Sequence, residues 1–213
     1  MFKKFIETAV LLSIAIILPL CKKLDLLSHW TMITVMIYGS ILSMTQPGMP
    51  SNNDKTDKHD KYSMYLILIG GISCFVIPIM DYAYGRERTV LTSHFSTWLG
   101  ILMMFGGVLF RWWSIHILGK FFTAKVQILN DHQLIQEGPY QILRHPSYLG
   151  AWVSMMGISV FLQSIPGLVF SVVVYCFING YRIECEEKAL LEKFPDAYRK
   201  YQEKTWRMIP YIF

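Results

Sequence analysis

The sequence predicts an all-α protein: a polytopic membrane helical bundle of five to six spans that ends in a tight helical hairpin and a cytosolic amphipathic helix. Three observations lead there. Charged residues make up 16% of the chain and hydrophobic residues 53%, whereas an ordinary soluble domain carries about 25% charged residues. The apolar residues gather into runs near the ~17–25 residues that a bilayer-crossing helix requires. The Lys and Arg residues between those runs are distributed unevenly between the two sides.

The candidate spans are Phe5–Leu20, Trp30–Thr45, Tyr62–Tyr84, Phe95–Leu118, Tyr148–Leu162 and Pro166–Tyr181. The third and fourth are long. The first two are short, so one of them is expected to tilt or to lie at the interface. Lys3 and Lys4 before the first run also fit a secretory signal, but Leu20 is bulky where cleavage favours a small residue, and an uncleaved span is the preferred reading. The last two runs are separated by Gln163-Ser164-Ile165. They read as a hairpin with Pro166 in the first turn of the returning helix, where a missing N–H is harmless. Barrel strands are excluded because the runs are long and lack a period of two. A soluble helical core would need polar helix faces, and Leu66–Ile79 offers almost none.

With six spans and the N-terminus inside, Lys and Arg crowd one side. Only Lys22, Lys23, Arg86 and Arg88 fall on the other, and Arg111 lies within a span. That bias predicts an integral, multi-pass protein with both termini and the candidate site facing the cytoplasm. The net charge of +5 sits in short runs between apolar stretches. This fits a membrane surface and argues against nucleic acid. Cys21, Cys74, Cys176 and Cys185 have no metal-ligand spacing, so neither a zinc site nor a disulfide framework is expected.

Residues 1–118 read as N-terminal spans and residues 119–213 as the region that carries chemistry. Pro47–Lys61 is polar and reads as a solvated linker. Gly119–Arg144 is longer than a connector requires, and long loops in compact proteins are often functional; it is expected to line a pocket at the membrane face. Gly138-Pro139-Tyr140 is a turn signal. Arg144-His145-Pro146-Ser147-Tyr148-Leu149-Gly150 follows at a helix entrance, where free N–H groups can hold a carboxylate. The same residues would also serve to anchor a helix end among lipid headgroups. Arg182 and Glu186 share one helix face at i and i+4, where an apolar span ends; Cys185 and Glu187 point elsewhere. Arg111 and His116, beside Trp112 and Trp113, read as a snorkelling cation in an aromatic belt. Glu186–Lys204 reads as an amphipathic helix over the cytoplasmic face.

From Val126 to Pro210 the chain resembles the isoprenylcysteine carboxyl methyltransferases, within a wider group that includes phospholipid methyltransferases. The resemblance rests on His132-x-Leu134, Gly138-Pro139-Tyr140, Arg144-His145-Pro146-Ser147-Tyr148-x-Gly150, Arg182-x-x-x-Glu186-Glu187, Tyr198-x-x-Tyr201 and Arg207-x-Ile209-Pro210. It implies S-adenosyl-L-methionine as methyl donor. By the same resemblance the cofactor contacts are His132, Gln133, Leu134, Ile135, Tyr140, His145, Pro146, Ser147, Tyr148 and Glu186, with Gln127 a looser candidate. The family's substrate-facing arginine falls on Arg182, so Arg182 and Glu186 are the expected catalytic pair.

These residue types suit the chemistry. A carboxylate nucleophile, with a pKa of roughly 3.5, is already ionised and needs no strong base. Alignment and dryness are what the protein must supply. The function that the resemblance implies is carboxyl O-methylation of an isoprenylated cysteine or similar lipophilic acid that enters from the bilayer. Methylation of a phospholipid amine would require a base such as His116 or Glu186. A non-catalytic membrane binding or scaffold protein and a nicotinamide-dependent membrane reductase are the rivals from other classes; no Gly-rich dinucleotide fingerprint is present. Oligomeric state is not legible.

Overall fold

A computed structural model of the chain describes residues 10–45, 63–85, 94–123 and 131–211. The described residues are helical, joined by turns, with a single isolated β-bridge between Leu143 and Trp206. Six α-helices organise them: α1 (Trp30–Thr45), α2 (Ser63–Tyr84), α3 (His94–Leu118), α4 (Pro146–Phe161), α5 (Ile165–Lys193) and α6 (Pro195–Gln202). Before α1, a π-helical turn at Ser13–Ile17 packs on α2 and buries Ala15 and Ile16. Phe5–Ala9 of the predicted first span and the linker Pro47–Lys61 lie outside the described residues.

Three helical stretches are long and apolar enough to cross a membrane: Tyr65–Tyr84, His94–Phe121 and Ile165–Lys193. Only 33%, 28% and 39% of their most apolar windows are buried inside the protein, so most of each apolar surface faces outward. Phe95, Trp98, Leu102, Leu109 and Phe177 are all exposed on these helices. Apolar surface on that scale belongs against lipid. Helices satisfy their own backbone polar groups, as the hydrocarbon layer demands. α1 is apolar but shorter. α4 spans 16 residues, about 24 Å at 1.5 Å per residue, which is less than the ~30 Å hydrocarbon thickness.

The tightest packing joins α3 to α4, which run antiparallel along a seam of small residues. A Cβ added at Gly107 would meet the Gly150 carbonyl oxygen and the Ser154 nitrogen at 2.7 Å. One added at Gly157 would meet the Met104 nitrogen at 2.6 Å, and one at Gly100 would meet the Phe161 backbone at 2.5 Å. Without side chains at these points the two backbones touch. Such close approach stabilises helix pairs in membranes, where the hydrophobic effect between helices is absent.

Met32, Val35, Tyr38, Cys74, Phe75, Ile79, Met104, Met155, Ile158 and Tyr175 form the core between α1 and α5. The Tyr38 ring stacks on Phe75 at 5.8 Å. Between α4 and α5, Gln163 takes a left-handed φ of 56°. Ser164 then caps α5, its hydroxyl accepting from the Gly167 N–H at 3.0 Å.

Two expectations are corrected. The last span does not stop at Tyr181. α5 continues for 29 residues, about 43 Å, longer than the hydrocarbon layer. It therefore carries Arg182, Glu186 and Glu187 out of its apolar part without a break. Nor is Glu186–Lys204 one amphipathic helix. α5 ends at Lys193, Phe194 leaves the helical region at φ −131°, and Pro195 opens α6, because a residue preceding proline is pushed out of the helical conformation.

Candidate functional site

The approach to α4 is set by a glycine. Gly138 has φ 54°, and a Cβ there would lie 2.3 Å from Ile117 Cδ1. Only glycine both adopts that turn and lets it settle against the end of α3. From Ile142 the chain runs alongside the C-terminal segment. The Arg144 N–H donates to Trp206 O at 2.8 Å, the His145 N–H to Arg207 O at 2.9 Å and the Trp206 N–H to Ile142 O at 2.9 Å. Pro146 then starts α4, with His145 at its N-cap.

Glu187 holds this junction. It is 3% exposed. Its Oε1 accepts from Arg144 Nε at 2.8 Å and lies 3.3 Å from His145 Nε2; its Oε2 accepts from Arg207 Nε at 3.0 Å. Arg144 Nη1 also donates to the carbonyl oxygens of Gln202 and Thr205. A carboxylate so deeply desolvated is stable only with such partners. Glu187 turns away from the cavity, as its position on the helix predicts, and it ties α5, the α4 entrance and the C-terminal segment together.

On the next face of α5 lies a cavity lined by Leu118, Phe121, Phe122, Thr123, His132, Gln133, Leu134, Ile135, Tyr140, Arg144, His145, Ser147, Tyr148, Arg182, Glu186, Leu190, Tyr198 and Tyr201. Three polar groups cross it in series. Arg182 Nε donates to the Tyr148 hydroxyl oxygen at 2.8 Å, and that hydroxyl donates to Glu186 Oε2 at 2.7 Å. Arg182 Nη1 donates to Ser63 Oγ at 3.1 Å and Nη2 to Thr123 O at 3.3 Å. The Tyr148 ring stacks on His145 at 5.6 Å, with planes 12° apart. His145 Nδ1 lies 3.9 Å from Glu186 Oε2.

Burial sets the electrostatics of the walls. It pulls the His132 imidazole below its ordinary value of 6.5, with the Glu186 charge opposing the shift, so His132 stays neutral at pH 7. Burial also pushes the Tyr140, Tyr198 and Tyr201 hydroxyls up, so they remain neutral donors. Tyr201 donates to the Tyr140 carbonyl oxygen at 2.6 Å. His132 Nδ1 and the Tyr140 and Tyr198 hydroxyls are buried without a hydrogen-bond partner among the described residues. Buried polar atoms ordinarily have partners. A mixed polar and aromatic cavity with three such atoms, a carboxylate and a buried guanidinium fits a ligand that carries both charge and hydrogen-bonding groups.

Of the residues singled out in the sequence, the cavity brings together His132, Gln133, Leu134, Ile135, Tyr140, His145, Ser147, Tyr148, Arg182 and Glu186. Pro146 is fully buried behind it at the start of α4, and Gln127 lies outside the described residues. Phe121, Phe122 and Thr123 come from the loop expected to line a pocket, whereas sequence reasoning missed the wall of Leu118, Leu190, Tyr198 and Tyr201. The closing Tyr198-x-x-Tyr201 pair was the available signal, since two tyrosines at i and i+3 share a helix face.

Arg111 corrects a further expectation. It does not snorkel: it is 6% exposed, and Nη1 donates to the Ser147 carbonyl oxygen at 3.0 Å. It thus braces the first turn of α4 from α3. His116, by contrast, is exposed and stacks on Trp112 at 5.5 Å, away from the cavity.

Comparison with known proteins agrees with this picture. Residues 98–192 match the isoprenylcysteine carboxyl methyltransferase (ICMT) family. Protein-S-isoprenylcysteine O-methyltransferase B of Arabidopsis thaliana is 34% identical over 116 residues, 53% of this chain and 58% of that protein. The protein-S-isoprenylcysteine O-methyltransferase of Saccharomyces cerevisiae is 34% identical over 124 residues, 57% of this chain and 52% of that one. The chain spans about half the length of these curated relatives. An uncharacterized protein of Haemophilus influenzae is 26% identical over 66% of this chain and 80% of its own length. The solved structure of the eukaryotic intramembrane Ras methyltransferase ICMT shares the fold, with a TM-score of 0.64 over 96% of this chain and 75% of that one, at 23% identity. From Trp98 to Glu192 the chain is similar in sequence to the isoprenylcysteine carboxyl methyltransferase family, and over almost its whole length it shares the fold of that solved structure.

Proposed function

We propose that the chain is a membrane methyltransferase that uses S-adenosyl-L-methionine to methylate the carboxylate of an isoprenylated cysteine or a similar lipophilic acid. The observation that carries this reading is the convergence of a neutral polar loop, a helix entrance and the Arg182–Tyr148–Glu186 series on one cavity. That cavity lies within a region similar to a family of such enzymes.

S-adenosyl-L-methionine supplies a methyl group on positively charged sulfur. The segment His132–Ile135, with Tyr140, His145, Ser147, Tyr148 and Glu186, would hold it, with Pro146 fixing the helix entrance and Gln127 a further candidate. Glu186 offers its carboxylate to an ammonium group. His132 Nδ1 and the Tyr140 and Tyr198 hydroxyls offer the unused hydrogen bonds. Arg182 orients the acceptor carboxylate, which is ionised at neutral pH and loses no proton. Leu118, Phe121, Phe122 and Leu190 form an apolar part of the wall. Excluding water there matters, because water stabilises the separated charges of the reactants more than the partly neutralised transition state. Arg182 favours an anionic acceptor over a phospholipid amine, and His116, one of the two bases that an amine would require, lies elsewhere.

The loop charge bias supports five to six spans, with both termini and the cavity on the cytoplasmic side, and residues 119–213 as the catalytic region. The acceptor's prenyl tail would then approach from the bilayer and the cofactor from water. The test uses the detergent-purified protein. Binding of S-adenosylmethionine or its demethylated product is measured first. N-acetyl-S-farnesylcysteine and an ethanolamine phospholipid are then offered in parallel. Methyl ester formation on the farnesylcysteine is expected; absence of cofactor binding at about millimolar concentration would sink the proposal.

A further inference from the structure

Arg182 and Glu186 sit at i and i+4 on α5, one turn apart. Opposite charges at that spacing share a helix face and can pair directly, most favourably with the acid on the N-terminal side. Lys188 and Glu184, also on α5, do so at 2.6 Å. Among the described residues Arg182 and Glu186 form no direct ion pair. A side chain from another helix stands between them. The Tyr148 oxygen lies 2.8 Å from Arg182 Nε and 2.7 Å from Glu186 Oε2, and the Arg182 guanidinium carbon sits 5.9 Å from the Tyr148 ring centre.

The direction of this relay is forced. Arginine only donates and a carboxylate only accepts, so the hydroxyl must take a hydrogen bond from Arg182 and give its proton to Glu186. No other side chain of similar reach does both. Phenylalanine keeps the ring but neither bond. Tyr148 is in turn held in place: it follows the α4 entrance, His145 stacks on one face of its ring, and Arg111 braces the preceding carbonyl.

We infer that Tyr148 is a positioning residue, a wedge whose hydroxyl keeps the Arg182 and Glu186 side chains from neutralising each other and so leaves one charge for the acceptor and the other for the cofactor. This rests on the function proposed above. Without the hydroxyl, Arg182 and Glu186 close into an intrahelical ion pair in a largely buried site, where such a pair is stronger than on an exposed surface. The acceptor carboxylate then has to compete with Glu186 for Arg182.

The consequence is a suppressor relationship that a merely structural tyrosine does not produce. The dissociation constant of N-acetyl-S-farnesylcysteine is measured by calorimetry, without cofactor, on detergent-purified wild type, Tyr148→Phe, Glu186→Gln and Tyr148→Phe/Glu186→Gln, with the thermal midpoint recorded for each. Tyr148→Phe is expected to weaken acceptor binding at least tenfold with little change in midpoint. Adding Glu186→Gln to it is expected to restore binding to within about threefold of wild type, because the competing charge is gone. Tyr148→Phe binding as tightly as wild type, or a double variant no tighter than Tyr148→Phe, overturns the wedge while leaving the proposed function standing. Wild type that binds no farnesylcysteine at all overturns the proposed function, and the wedge falls with it.

Discussion

Arg144 Nε and Glu187 Oε1 meet at 2.8 Å across 43 residues of sequence, with side chains 9% and 4% exposed. This contact joins the α4 entrance to α5. Removing one partner of a buried pair leaves an uncompensated charge and typically destabilises by ~3–5 kcal/mol. Glu187→Ala should therefore lower the thermal midpoint in detergent sharply. Arg207→Ala removes a partner that is 38% exposed and should destabilise by less than ~1 kcal/mol. Equal effects from the two changes would show that Glu187 is not the hub.

The α3–α4 seam predicts a contrast among glycines. Gly150→Ala and Gly157→Ala drive a Cβ into backbone atoms at 2.8 and 2.6 Å, so both should reduce the yield of folded protein and the midpoint. Gly106→Ala and Gly180→Ala meet nothing within 4 Å and should leave stability unchanged or raise it by up to ~1 kcal/mol, through helix propensity. Thermal unfolding of the four variants side by side tests the seam.

Arg111 acts on the cavity through the Ser147 carbonyl. Arg111→Met keeps length and apolar packing but drops the charged hydrogen bond; under the proposed function, methyl transfer should fall about tenfold, a loss of ~1.4 kcal/mol in transition-state stabilisation. Because Arg111 touches the α4 backbone and does not line the cavity, the variant should still bind S-adenosylhomocysteine, only more weakly. An unchanged rate would reduce Arg111 to a packing residue.

His132 makes a pH prediction. Its folded value lies below 6.5 because burial disfavours the imidazolium. The unfolded chain therefore takes up the proton first as pH falls, and stability is lost from about 6.5 downward, until the folded value is passed. Since His132 is only half-buried, the effect is modest. Between pH 7.5 and 5.5 the midpoint of His132→Gln should fall less than that of wild type. Parallel curves would remove His132 from the pH response.

Hydropathy located the edges of α1, α2 and α3 within a residue or so, because each apolar run is bounded by polar or turn residues. It failed on α5, since hydropathy ends at Tyr181 while helix-forming residues such as Glu184, Lys188, Ala189 and Leu190 continue the same helix. The Phe194-Pro195 break was missed, although proline chemistry signals it. Arg111 was not legible: whether a cation in an apolar span faces lipid or protein depends on which helix packs over it, and α4 lies far along the chain. The motif residues of the cavity were legible because the pattern is local and ordered. The rest of its wall was not, since Leu118 and Tyr201 come to one cavity only once the chain has folded back on itself.

The pairing of residues 142–145 with residues 206–207 bears on the order of events during synthesis. Chains fold broadly in the order in which they are made, so α1 to α4 can assemble while the ribosome is still translating. The cavity cannot close in that period. Tyr198 and Tyr201 form part of its wall, and the backbone of Trp206 and Arg207 secures its entrance. A nascent chain already in the membrane thus lacks a finished chamber until residues 198–207 emerge, and a chain released early would be inserted but inert.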